Sequence, residues 1–179
     1  ASRAPAAREA VSVDFGRQWH EQKLQGYVNF ARGLVQQDMN WPADLEVPNA
    51  GASAASREGK VNNLFFGALS WILMHEIGHT YLDHDPILPA DQMIRQEIEA
   101  DDFATSWILD DAGSGLQREF RALVIITALA WLFLFESVGG QGPTHPPPIK
   151  RFRAAMSKLD LGQRSTALEN ASYLLKAMF

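Results

Sequence analysis

Residues 75–79 read His75-Glu76-Ile77-Gly78-His79, inside a run from about Val61 to Leu82 that is expected to form one helix. Asn62 or Asn63 stands near its start, and Asp83-His84-Asp85-Pro86 is the punctuation that ends it. In a helix, positions i and i+4 lie on one face a turn apart, so the imidazoles of His75 and His79 can point at one ion. Glu76, one step round, reaches water beside that ion. Zinc suits such a site: it takes nitrogen and oxygen ligands tetrahedrally, and a catalytic site keeps one position open for a water whose pKa falls to about 7. Leu69, Ile72, Leu73 and Ile77 are expected to form a buried wall of the cleft, and Gly78 to let another segment come close.

Two histidines and a glutamate at this spacing also arise by chance, and the next helix gives them meaning. It is expected over about Pro89 to Leu109 and contains Gln96-Glu97-Ile98-Glu99-Ala100-Asp101-Asp102-Phe103-Ala104. Glu97 and Asp101 share a face at i and i+4, and Ala100 and Ala104 are small enough for close packing on the first helix. One carboxylate completes the metal site while the other orients a ligand imidazole. Zinc-bound histidines usually donate their second N–H to a carboxylate, which makes Asp101 the candidate for that outer role; Asp102 lies about 100° further round. Glu99 points nearly opposite to Glu97 and reads as part of a solvated face.

Working outward, a first helix spans about Arg17 to Gln37 on the spacing of Leu24, Tyr27, Val28, Ala31, Leu34 and Val35, after a short alternating stretch at Val11, Val13 and Phe15. Residues 40–60 have loop composition, with a short strand at Leu45 to Val47. A fourth helix runs from Leu116 to Val138, stopped by Gly139-Gly140. The loop Gly142-Pro143-Thr144-His145-Pro146-Pro147-Pro148 starts another helix carrying Ile149, Phe152, Met156 and Leu159, and a last one spans Gln163 to Met178. The fold class is therefore mainly α, with five or six helices and little β edge structure.

One domain over residues 1–179 is expected: an N-terminal helix and loop to residue 60, a zinc-binding core over 61–155, and a C-terminal helix over 156–179. The net charge of -5 and the absence of a basic run speak against nucleic acid as the partner. With no cysteine, there is no thiolate ligand and a metal must be held by His, Asp or Glu. The apolar run from Ala122 to Phe135 falls short of the roughly 20 residues that span a bilayer, so a buried core helix and no membrane span are expected.

The two metal segments together resemble the gluzincin metallopeptidases, whose pattern sets a Glu-x-x-Ala-Asp string on the helix after HExxH; Glu97-Ile98-Glu99-Ala100-Asp101 matches that register. Asn63-Leu64-Phe65, Ala68-Leu69-Ser70-Trp71, the HEIGH string, Glu99 to Ala104 and Trp107-Ile108-Leu109 are most similar to the phage-exclusion Lit-type peptidases. The resemblance implies a minimal zincin-like domain with one zinc per chain, His75, His79 and Glu97 as ligands and Glu76 as general base. It further implies a bacterial cytoplasmic endopeptidase acting on a protein or peptide substrate in phage defence. The chain also resembles ImmA/IrrE-type regulatory peptidases, which implies cleavage of a repressor, and HtpX-type proteases through Thr144-His145-Pro146-Pro147. In relatives of the latter kind the loop histidine approaches the metal. His145 is then a displaceable fourth ligand or a transition-state hydrogen-bond donor, against an incidental histidine in a proline-rich helix start. His84 reads as a surface or capping residue. The rival from another class is a non-catalytic, zinc-stabilised interaction domain closed by His145, which would have no use for Glu76.

Overall fold

In the computed structural model, residues 17–36, 40–41, 47–140, 142–162 and 164–178 are described, with side chains from residue 24 onward. Among these residues six helices follow one another: α1 (Arg17–Val35), α2 (Arg57–Tyr81), α3 (Ala90–Leu109), α4 (Leu116–Gly139), α5 (Pro148–Lys158) and α6 (Thr166–Met178). There is no strand among the described residues. The stretch from Val11 to Phe15 and most of the expected strand at Leu45 to Val47 lie outside them; Val47 itself is in a loop.

α2 begins at Arg57, four residues before the expected start, because Ser56 caps it. The Ser56 hydroxyl accepts from the Gly59 N–H at 3.0 Å, which satisfies one donor of the first turn and draws the supposed loop residue Gly59 into the helix. The far end closes in a Schellman motif: the Asp83 N–H donates to Thr80 O at 3.3 Å and the His84 N–H to His79 O at 3.0 Å, with Asp83 in the left-handed region at φ 55°. α5 starts with Pro148 in its first turn, where the missing N–H has no partner to lose. Ser165 caps α6 by accepting from the Leu168 N–H, while the Glu119 carboxylate accepts from the Ala167 N–H at 2.8 Å.

α4 packs against each of the five other helices and buries Ala122, Val124, Ile125, Ile126, Ala128, Leu129 and Ala130. At 24 residues it is longer than its apolar run and, by length and composition, long and apolar enough to cross a membrane. The expectation from run length is thus superseded; the core position rests on what the helix buries. Trp71, Ile125 and Leu159 have no exposed surface at the centre of the core, and full burial of side chains this size is worth about 1.5–3 kcal/mol each. α2 and α3 are antiparallel neighbours: a Cβ at Gly78 would touch Ala100 and Phe103, while the Trp71 indole donates to Thr105 Oγ1 one end further along. Helix α5 lies against both α3 and α4, so α2, α3 and α5 converge on one region.

The expected buried wall is corrected. Leu69, Leu73 and Ile77 are exposed, Leu73 by 52%, and only Ile72 of the four is half-buried and faces the cleft. The face of α2 that packs is the one through Leu64, Ala68, Trp71, His75 and Gly78, so these apolar residues lie on its outer side.

Candidate metal centre and active site

α2 delivers His75 and His79 a turn apart, and α3 delivers Glu97 opposite them. His75 Nε2 is 3.2 Å from His79 Nε2 and 3.3 Å from Glu97 Oε2, while His79 Nε2 is 3.5 Å from Glu97 Oε1. These three residues can offer ligand atoms all within 4.8 Å of one another. His75 is buried, its ring stacked on Trp71 at 5.9 Å between centroids, and Trp71 is pinned by its indole hydrogen bond of 3.1 Å to Thr105. The orientation of the first imidazole is therefore set by α2 and α3 together.

The donor set calls for a cation. Asp101 Oδ1 is 2.9 Å from His75 Nδ1 and, as a carboxylate oxygen, only accepts, so the neutral ring carries its proton there and turns its Nε2 lone pair toward His79 and Glu97. Glu97 Oε2 is buried without a hydrogen-bond partner. Lone pairs and an anionic oxygen facing one another repel unless a proton or a metal ion stands among them. For zinc–nitrogen bonds of 2.0–2.1 Å, a tetrahedron has edges of about 3.3–3.4 Å, which the 3.2 Å between the two histidine Nε2 atoms approaches, while Glu97 offers one carboxylate oxygen to each histidine. Nitrogen and carboxylate donors without thiolate suit zinc. Without a metal, burial works against charge on His75, but the Asp101 hydrogen bond and the facing Glu97 carboxylate outweigh it and lift the imidazole to about 9.

Behind His75, His79 and Glu97 lies a buried ionic network. Arg151, from α5, donates from Nε to Asp101 Oδ2 and from Nη2 to Asp101 Oδ1, both at 2.7 Å, and its Nη1 is 3.6 Å from Glu136 Oε1. Burial alone would raise the Asp101 carboxyl, yet the hydrogen bonds from His75 and Arg151 hold it below the usual carboxylate range. Glu136 moves the other way, pushed up by burial. Asp101 thus stays anionic, which keeps His75 aimed.

A cleft of about 340 Å³ opens over this cluster, lined by the polar Glu76, His145 and Glu136 and by the apolar Ile72, Leu132 and Phe135. Glu76 is exposed and lines the cleft beside His75. His145 comes from the proline loop: its Nε2 is 3.6 Å from Glu97 Oε1, and its Nδ1 is 3.1 Å from Thr144 Oγ1. All six residues singled out from the sequence, His75, Glu76, His79, Glu97, Asp101 and His145, are brought to one place.

Three further residues join them without a sequence signal that assigns them to the site. Arg151 and Glu136 reach the site from α5 and α4, and no local spacing signals a contact between residues so far apart in the chain. The expectation of a surface or capping role for His84 is corrected: its side chain is only 6% exposed, with Nδ1 at 2.9 Å from His79 Nδ1 and Nε2 at 3.1 Å from Glu99 Oε2. Glu99 is exposed, as its helical position implies, and yet it has this partner. The αL residue Asp83 could have been found from the Asp-His-Asp-Pro punctuation, and it is what folds His84 back.

Comparison with known proteins gives a consistent result. The family model described as Peptidase U49 matches residues 1–171. The cell death peptidase of Escherichia coli (strain K12) is 29% identical over 143 residues, covering 78% of this chain and 48% of the relative. The chain therefore spans about half the length of that curated relative. No solved structure matches.

Proposed function

The chain belongs to the peptidase U49 family, and from that premise we propose that it is a zinc-dependent endopeptidase in which His75, His79 and Glu97 hold the metal and Glu76 is the general base. The observation that carries this reading is the buried, unpartnered Glu97 Oε2 facing the His75 Nε2 lone pair at 3.3 Å, with Glu76 on the wall of the same cleft. When bound, zinc supplies Lewis acidity that lowers the pKa of a water to about 7 and polarises a peptide carbonyl. Glu76 accepts the proton of the attacking water and returns it to the leaving amine, so no covalent enzyme intermediate is formed. Asp101, anchored by Arg151, keeps the His75 proton on Nδ1. His145, on the rim, is within reach of an oxyanion as a hydrogen-bond donor. Ile72, Leu132 and Phe135 are the apolar lining of the cleft and receive an apolar side chain of the substrate.

The substrate class, a bacterial protein, together with cytoplasmic location and a role in phage exclusion, belongs to the same proposal and rests on the family. The proximity of His145 to Glu97 also favours a second reading, in which that histidine closes the site and the domain binds without cleaving.

Elemental analysis and proteolysis of a bacterial lysate separate them, with wild type compared to Glu76→Gln. Stoichiometric zinc in both, and cleavage lost only in the variant, is the expected result. Zinc in both without cleavage by either supports the closed site, and zinc in neither removes the metal assignment.

A further inference from the structure

His79 has an outer partner that mirrors the one on His75. We propose that His84, backed by Glu99, is a positioning residue that fixes the tautomer and orientation of the second metal ligand; this rests on the metal reading above. The backbone makes the arrangement. The Schellman motif at the end of α2, with Asp83 at φ 55°, turns the chain so that the His84 N–H donates to His79 O at 3.0 Å and the two side chains lie alongside. The rings meet edge to face at 5.0 Å between centroids. The helix end is already capped by the backbone of residues 82–84, so the His84 side chain is not needed for capping.

With His84 neutral, donor and acceptor accounting leaves one consistent order. Glu99 Oε2 accepts only, so His84 Nε2, at 3.1 Å, carries a proton and donates it. In the neutral ring, His84 Nδ1 is then a lone pair, and the partner 2.9 Å away, His79 Nδ1, must be the donor. A proton on His79 Nδ1 frees Nε2, the atom that faces His75 Nε2 and Glu97 Oε1, to act as a ligand. The relay runs from the Glu99 carboxylate through His84 and His79 to the site, with every nitrogen in a defined role. It is the counterpart of Asp101 on His75, with one imidazole inserted between carboxylate and ligand. The side chain of His84 is 6% exposed whereas that of Glu99 is 62% exposed, so the link to the ligand is sheltered and only its outer end meets solvent. Outer partners of this kind set ligand basicity and typically change metal affinity 10–100-fold.

The test is the zinc dissociation constant of the full chain, read by competition with a chromophoric chelator, alongside the melting temperature of the metal-free protein. His84→Ala is expected to weaken zinc binding by about 10–100-fold, with His84→Gln recovering part of it, since an amide oxygen can again accept from His79. Glu99→Ala is expected to weaken zinc by a smaller factor without moving the metal-free melting temperature, since the residue is exposed. If wild type binds zinc and both His84→Ala and Glu99→Ala bind it equally well, the positioning role is overturned and the metal reading stands. Should His84→Ala lower the metal-free melting temperature, Glu99→Ala decides alone: weaker zinc at an unchanged melting temperature supports the relay, and unchanged zinc overturns it. A wild-type chain that takes up no zinc overturns both.

Discussion

At His75, burial opposes charge while two carboxylates favour it, and the carboxylates prevail, with the folded imidazole raised from 6.5 to about 9. A raised histidine pKa means that the folded, metal-free protein binds this proton more tightly than the unfolded chain. That contribution to stability is complete below pH 6.5 and is lost as pH rises through 9, a window worth a few kcal/mol at most, on the order of 1.4 kcal/mol per pH unit. Denaturant unfolding of metal-free protein between pH 6 and 9 should therefore show falling stability. The zinc-loaded protein should not follow, because the metal takes the proton's place and its binding improves with rising pH. Equal pH slopes with and without zinc would contradict this account. Spacing within one helix made His75, Glu76 and His79 legible, spacing within the next did so for Glu97 and Asp101, and the proline loop did so for His145. Arg151, Glu136 and His84 were not legible, because their places depend on how helices cross or on a single αL turn. Arg151 also yields a prediction: Arg151→Met leaves Asp101 with one buried partner fewer and should destabilise the fold by about 3–5 kcal/mol in urea titration, the usual effect of removing one member of a buried ion pair.

Among the elements, the end of α2 matters more than its start. Asp83 adopts φ 55°, a conformation that glycine reaches without strain and that β-branched residues resist. Asp83→Gly is expected to leave stability unchanged or raise it by up to about 1 kcal/mol, and Asp83→Val to lower it by about 1–2 kcal/mol. Thermal melts check the stability effects, and the Val variant should also bind zinc less tightly, since the turn carries His84 to His79. Element boundaries show the same division between local and non-local signals. The starts of α3 and α5 were legible from their prolines and the end of α4 from paired glycines, whereas the start of α2 was misplaced because Gly59 suggested a loop. The outer face of α2 misled too: Leu69, Leu73 and Ile77 looked like core from their apolarity, and nothing in a period of 3.6 says which of two apolar faces a protein buries.

For the molecule as a whole, α4 is the hub, and its packing separates stability from the site. Ile125 is wholly buried in the core cluster and does not line the cleft. Ile125→Ala should cost about 2–5 kcal/mol of stability and lower the melting temperature, while zinc affinity measured well below the transition stays as in wild type. The mainly α class and the order of six helices were legible in the sequence, because each helix has its own punctuation. Their arrangement around α4 was not, because it depends on which surfaces interlock.

Gly78 sits between the two histidines, and an added Cβ there would lie 3.1 Å from Phe103 Cδ1 and 3.4 Å from Ala100 Cα. Ala100 is backbone of the helix that carries Glu97, one turn away. A side chain larger than a methyl at position 78 should therefore press apart the two helices that carry His75, His79 and Glu97 and widen the separations between them. In a library randomised at that codon, tolerated replacements would thin out with side-chain volume, and metal retention would disappear at smaller volumes than folding does. Two of the five motif letters are formally free, but in this protein the clearance between α2 and α3 restricts the second of them to small residues.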